Sequence, residues 1–193
     1  MKITVVDLET DGVDPRTCQV LEVGIAVADL EAGTSELAFE SLVCPPHFGW
    51  EDCWFMQHAF LDRKDILEAP RFEEIKPKLE ELMLVNPVTA YNLAFDLRII
   101  YRHGISVPKQ WPCLMQSAKP ILRLPPYRGD WKYPKFSESW HYFFRTTPLE
   151  DAHRAGPDAV NEGKLLIQMA KMGHFAKETA RWTGAAYGAK GRR

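Results

Sequence analysis

Apolar and polar positions split the chain into a strand-rich opening and a helix-rich remainder. Residues 2–7 contain the run Ile3-Thr4-Val5-Val6, which predicts a buried strand leading into Asp7-Leu8-Glu9-Thr10-Asp11-Gly12. From Leu21 to Leu30, Val23, Ile25 and Val27 alternate with Glu22, Gly24 and Ala26, the period of a second strand. Leu37 to Val43 predicts a third, ended by Cys44-Pro45-Pro46. Short connections between the three favour an antiparallel meander.

Helical spacing takes over at Phe72 to Leu84, through Phe72, Ile75, Leu79 and Leu82 or Met83. A short strand candidate, Pro87 to Tyr91, leads directly into the next helix, which Asn92 is placed to cap and His103-Gly104 to end. Cys113–Leu124 and Phe136–Phe144 predict shorter helices around a loop at Pro125–Gly129. A last long helix is expected from Pro157, suited to a first helical position, to about Lys171. Strands first and strand-helix alternation afterwards predict an α/β fold, a mixed sheet with helices packed on it.

At 193 residues the chain suits one domain, and such a chain buries roughly 70% of its unfolded surface without disulfides. Cys18, Cys44, Cys53 and Cys113 show no CxxC pair and no paired histidine spacing, so they read as reduced thiols rather than a zinc site. No signal-peptide pattern precedes Asp7 and no apolar run reaches membrane-spanning length, so a cytoplasmic protein without a membrane partner is expected. The net charge of −2 does not announce a nucleic-acid binder. Its distribution says more: Lys119, Arg123, Arg128, Lys132 and Lys135 face a single acid, Asp130, and are interleaved with Tyr127, Trp131 and Tyr133. Two readings stand for this stretch, a surface that stacks bases and neutralises phosphates or a solvated loop over core aromatics.

The chemistry rests on Asp7, Glu9, Asp96, His153 and Asp158. Residues two apart on a strand point to one side, so Asp7 and Glu9 aim two carboxylates at one spot. Crowded carboxylates repel unless a cation lies between them, and oxygen-only acidic sets suit magnesium or manganese. Asp96 falls near the first turn of its helix, and His153 precedes Asp158 by five at the start of the last one. Taken singly, each has an ordinary explanation as a strand end, a solvated helix residue or a helix-start charge pair. Taken together they indicate a two-metal nuclease site.

In this order the three segments resemble the motifs of the DEDDh exonucleases, the DnaQ-like branch of the ribonuclease-H-like superfamily. Asp7-Leu8-Glu9-Thr10-Asp11-Gly12 is similar to the first motif and Asn92-Leu93-Ala94-Phe95-Asp96 to the second. His153-Arg154-Ala155-Gly156-Pro157-Asp158-Ala159 is similar to the third, His-x-Ala-x-x-Asp-Ala. The resemblance implies a central mixed five-stranded sheet, three antiparallel strands first, flanked by α-helices. One exonuclease domain is expected over residues 1–180, and the acid-free charge of Arg181, Lys190, Arg192 and Arg193 marks 181–193 as a basic tail expected to be flexible. The implied activity is 3′–5′ hydrolysis releasing nucleoside 5′-monophosphates with two divalent ions, Mg²⁺ or Mn²⁺. Asp7 is then expected to bridge both ions, Glu9 and Asp158 to hold one, Asp96 to support the other, and His153 to act as general base.

The same resemblance puts Leu8, Thr10, His58, Asn92 and Phe95 at the substrate. Thr10 equally suits a turn, and His58 equally suits a surface helix. Tyr91 stands where many relatives have histidine. Pro157 biases Gly156 away from helical geometry, which predicts a loop that turns His153 outward when metal and substrate are absent. Single-stranded or 3′-frayed DNA is the expected substrate, because no helix-in-groove motif is visible and the site must admit a free end. An RNA-trimming enzyme, a repair nuclease and a proofreading subunit of a polymerase all remain compatible, as does a homo-oligomer. A haloacid-type phosphatase would need a second aspartate at Glu9, and an actin-like ATPase a glycine-rich phosphate loop; neither is present.

Overall fold

Ile3, Val5, Asp7 and Glu9 share one face of strand β1 (Lys2–Thr10), and that alternation organises the molecule. The computed structural model describes residues 1–59, 61–127, 129–149 and 153–177. β1 runs antiparallel to β2 (Val20–Asp29), β2 antiparallel to β3 (Thr34–Leu42), and β1 parallel to β4 (Val88–Thr89), giving the order β3-β2-β1-β4. The expected meander is present, and β1 extends beyond residue 7 to carry both Asp7 and Glu9. The expected fifth strand is reduced to one parallel bridge between Val88 and Gln110. Pro108 and Pro112 flank that bridge, and proline cannot donate to a ladder.

The even face of β1, Val6 and Leu8, packs with α3 (Phe72–Val85) and α4 (Leu93–Arg102) through Ile75, Leu79, Met83, Leu97 and Ile100. The odd face, Ile3 and Val5, packs with α5 (Leu114–Leu122), α6 (Phe136–Phe144) and α7 (Ala155–Lys171) through Leu114, Phe143, Leu165 and Leu166. A short outer cluster joins Leu21 and Trp50 to α1 (Trp54–His58) and α2 (Arg63–Leu67) through Phe55 and Ile66. Strand β1 is thus covered on both faces, whereas β3 at the sheet edge stays largely exposed. The expected loop at 125–129 contains instead a two-residue ladder, β5 (Pro126–Tyr127) with β6 (Asp130–Trp131).

The last helix starts two residues earlier than proline chemistry suggested. Ala155 and Gly156 open α7, and Pro157 is its third residue. A proline is tolerated there because first-turn N–H groups have no intrahelical acceptor.

Small residues let α7 lie directly on the sheet. Its bed is formed by cross-strand pairs: Ile3 with Ala28, Val5 with Ala26, Asp7 with Gly24 and Glu9 with Glu22. A Cβ on Gly24 would stand 1.9 Å from the carbonyl oxygen of Ala155. The backbone of α7 therefore reaches its depth only because position 24 has no side chain.

Candidate active site

One cavity of about 340 Å³ collects all five residues singled out for chemistry: Asp7, Glu9, Asp96, His153 and Asp158. Strand β1, helices α4 (Leu93–Arg102) and α7, and the segment just before α7 supply them. β1 ends in a register shift between Glu9 and Thr10, just after presenting both carboxylates. The short parallel strand β4 delivers the chain to Asn92, and α4 then places Asp96 in its first turn, almost wholly buried. α7 presents Asp158 in its first turn, with His153 just outside the helix.

Carboxylate oxygens of Asp7, Glu9 and Asp158 lie within 4.8 Å of one another. This oxygen-only donor set fits a hard divalent cation. Its electrostatics point the same way. Burial first, then repulsion from Glu162, Glu9, Asp96 and Asp158, holds the Asp7 carboxyl well above the usual carboxylate range. Burial, with Glu9 adding to it, pushes Asp96 up to about 8. Carboxyls so crowded favour the neutral form until a cation compensates them.

Glu162 lies at the same cavity and was missed by reading the motifs. It is one helical turn beyond Asp158, so the i,i+4 spacing on one face was a usable signal. Its Oε2 accepts the Tyr91 N–H at 2.9 Å, and burial followed by repulsion from Asp96 drives its carboxyl well above the ordinary range. Tyr91 is pinned further by its hydroxyl, 2.8 Å from the Pro134 carbonyl and 2.8 Å from Ser139 Oγ. Phe136, Ser137 and Leu149 complete the wall opposite the carboxylates.

His153 has a left-handed backbone, φ +45°, and is among the residues that line the cavity. Its ring meets Trp54 edge-on, with centroids 4.7 Å apart. Trp54 is in turn stacked on His58 at 4.2 Å. The helix α1 therefore braces His153 from outside.

Of the residues expected at substrate, Leu8, Asn92 and Phe95 line the cavity. Asn92 occupies the N-cap position of α4 but makes no side-chain cap bond. Thr10 and His58 are not among the lining residues. Thr10 Oγ1 donates to the Gly12 carbonyl at 2.7 Å, and His58 Nδ1 lies 2.7 Å from the Trp54 carbonyl oxygen.

The basic-aromatic stretch satisfies much of its own charge. Lys119 pairs with Asp130 at 2.5 Å and lies over the Tyr133 ring, Lys132 pairs with Glu138 at 2.5 Å, and Arg123 lies over Trp131. Arg128 and the tail at 181–193 fall outside the described residues. A larger groove, about 660 Å³, runs between α4 and residues 110–116, but no acid lines it. Cys18, Cys44, Cys53 and Cys113 are free thiols. No helix among the described residues is long and apolar enough to cross a membrane.

Known structures share this architecture. The nuclease domain of 3′hExo, a DEDDh family member, bound to rAMP, has a TM-score of 0.66 at 13% identity, covering 89% of this chain and 92% of that one. A 3′-exonuclease in 3′-end-specific recognition of a histone mRNA stem-loop has a TM-score of 0.67 at 14% identity, over 89% of this chain and 82% of that one. E. coli Exonuclease I with a dA16 oligonucleotide has a TM-score of 0.62 at 15% identity, over 93% of this chain and only 43% of that one. These likenesses establish a ribonuclease-H-like α/β fold. No family model matches the chain, and no curated protein matches it in sequence.

Proposed function

We propose that the chain is a DEDDh exonuclease, a metal-dependent hydrolase that removes nucleotides from the 3′ end of single-stranded or frayed DNA. The observation that carries the reading is the meeting of Asp7, Glu9, Asp96, His153 and Asp158 in one cavity, from segments far apart in sequence and in the fold of known 3′-exonucleases.

Each residue has a definite task in that reaction. Water attacks the last phosphorus in line, the bond from phosphorus to the 3′-oxygen of the preceding nucleotide breaks, that oxygen takes a proton from solvent to become the new 3′-hydroxyl, and a nucleoside 5′-monophosphate is released. His153 accepts the proton of the attacking water, the role most often given to an imidazole in general base catalysis. Asp7, Glu9 and Asp158 would hold a divalent cation, and Asp96 would support a second ion. Bound there, Mg²⁺ or Mn²⁺ supplies Lewis acidity toward the phosphoryl oxygens and offsets the charge of the carboxylates. Asn92 and Phe95 border the space for the terminal nucleotide, Phe95 by apolar contact and Asn92 by hydrogen bonding. Leu8 closes its floor.

RNA is the second reading. Two of the structures matched over most of their own length are a 3′-exonuclease with a histone mRNA stem-loop and a nuclease domain with rAMP. Matched single-stranded DNA, duplex DNA and RNA, each with a defined 3′ end, separate the two when digested side by side with Mg²⁺. The account expects 5′-monophosphates from single-stranded DNA faster than from the other two. Faster release from RNA assigns the enzyme to RNA trimming, and internal cuts or inorganic phosphate as the first product contradict an exonuclease.

A further inference from the structure

The first turn of α7 is anchored by a group outside the five proposed catalytic residues. Glu22, fully buried on β2, receives Arg154 Nε at 2.8 and 3.0 Å and Arg154 Nη2 at 2.6 Å. Its Oε2 also accepts the N–H of Ala155, the first residue of α7, at 3.0 Å. One carboxylate thereby pairs with a guanidinium bidentately and satisfies an N–H that the helix itself leaves open. Arg154 reaches a second acid, Glu40 Oε1, at 3.4 Å.

An ion pair this deep is weak evidence of stabilisation for its own sake, because desolvation offsets most of the attraction. It does constrain geometry. Arg154 adjoins His153, whose left-handed backbone is strained for a residue that carries a side chain and persists only where its surroundings over-determine it. From the other side, Trp54 meets the His153 ring edge-on. The imidazole is thus held between a braced ring and a fixed neighbouring residue. Asp158 has independent support, since α7 rests on Gly24, Ala26 and Ala28.

We infer that Glu22 is a positioning residue for His153, acting through Arg154 and the first N–H of α7 to aim the imidazole into the cavity. The inference rests on the proposed function for its kinetic consequence, but its structural content does not. Glu22 is not among the residues that line the cavity.

The test uses Glu22→Gln, which keeps an acceptor for Ala155 and loses the charge, and Arg154→Lys, which keeps the charge and loses the fork. Thermal unfolding first selects the variants that fold; Arg154 is partly exposed, so its lysine replacement keeps the test available if Glu22→Gln does not fold. Either variant is expected to lower kcat about 10- to 100-fold, the cost of displacing a catalytic group by about an ångström, with KM for an oligonucleotide within about twofold. In a His153→Ala background the same change is expected to cost less than about twofold more, because its effect passes through the missing ring. Equal losses in both backgrounds, or an unchanged kcat, overturn the inference. The His153 ring signals in the NMR spectrum, assigned by loss in His153→Ala, are expected to shift or broaden in either variant. A chain that hydrolyses no nucleic acid overturns the proposed function, and the NMR comparison then decides the positioning role alone: unchanged His153 signals reject it.

Discussion

Glu162 Oε2 accepts the Tyr91 N–H at 2.9 Å, so the helix that carries Asp158 is tied to the turn that presents Asn92 and Asp96. The bond fixes two segments of the candidate site against each other, yet it adds a carboxylate to a cavity already crowded with them. Glu162→Gln keeps an acceptor and removes the repulsion that, after burial, weighs most on Asp7. The metal-free variant is expected to melt roughly 2–4 °C higher, the shift that about 1 kcal/mol gives a chain of this size. Its Mg²⁺-induced stabilisation is expected to shrink. Calorimetry with and without Mg²⁺ reads both, and a lower metal-free melting temperature contradicts the account.

The same crowding sets a pH dependence. Asp7, Asp96 and Glu162 all have folded values raised above those of the unfolded chain. The unfolded state then binds fewer protons than the folded one, so stability falls as pH rises. For Asp96 the window runs from its ordinary 3.8 to about 8. Metal-free protein is expected to be most resistant to urea near pH 4–5 and to weaken steadily toward pH 8, apart from losses at other groups. Saturating Mg²⁺ is expected to flatten the slope, since cation binding favours the ionised carboxylates. A metal-free stability that climbs from pH 5 to pH 8 is the opposite sign.

His153→Ala separates proton transfer from cation binding. Removal of a general base lowers turnover by about 10²–10⁴-fold, while the carboxylate donors of Asp7, Glu9 and Asp158 remain. Mn²⁺ affinity by titration calorimetry is expected to stay within about threefold. A parallel collapse of affinity assigns His153 to the cation instead.

Gly24→Ala tests the seat of α7. The added Cβ meets backbone atoms of Ala155 and Gly156 at 1.9 to 2.5 Å, which a side-chain rotation cannot relieve. A loss of at least about 2 kcal/mol is expected in urea unfolding, in the range of severe overpacking. Gly12→Ala serves as a control, because its nearest neighbour would be Cys18 Cβ at an ordinary 3.8 Å. Equal behaviour of the two variants rejects the close approach.

The chemistry was readable because each segment carries its own signature. Asp7 and Glu9 share a strand face, Asp96 follows a short strand by a fixed step, and Asp158 opens a helix. Glu162 escaped because a glutamate in mid-helix ordinarily belongs to a solvated face, and only the packing of α7 on the sheet, with the bond to the Tyr91 N–H, buries it. The helices α1 and α2, five residues each, are too short for a helical period to show. The Gly-Ala face of β2 read as the weaker side of an alternating strand, whereas its small size is what admits the helix backbone. Helix propensity at Pro157 misplaced the start of α7, since the carboxylate of Glu22, contributed by a strand 133 residues earlier than Ala155, caps that turn.

The central claim is that these converging side chains make a cation-dependent 3′-end hydrolase. The most direct measurement follows products from a single-stranded oligonucleotide labelled internally near its 3′ end, with Mg²⁺ or with chelator. Wild-type protein is expected to release 5′-mononucleotides stepwise from the 3′ end with Mg²⁺ only, and Asp7→Asn to lose this by at least about 10³-fold. Release that survives chelation, or an Asp7→Asn variant as active as wild type, contradicts the account.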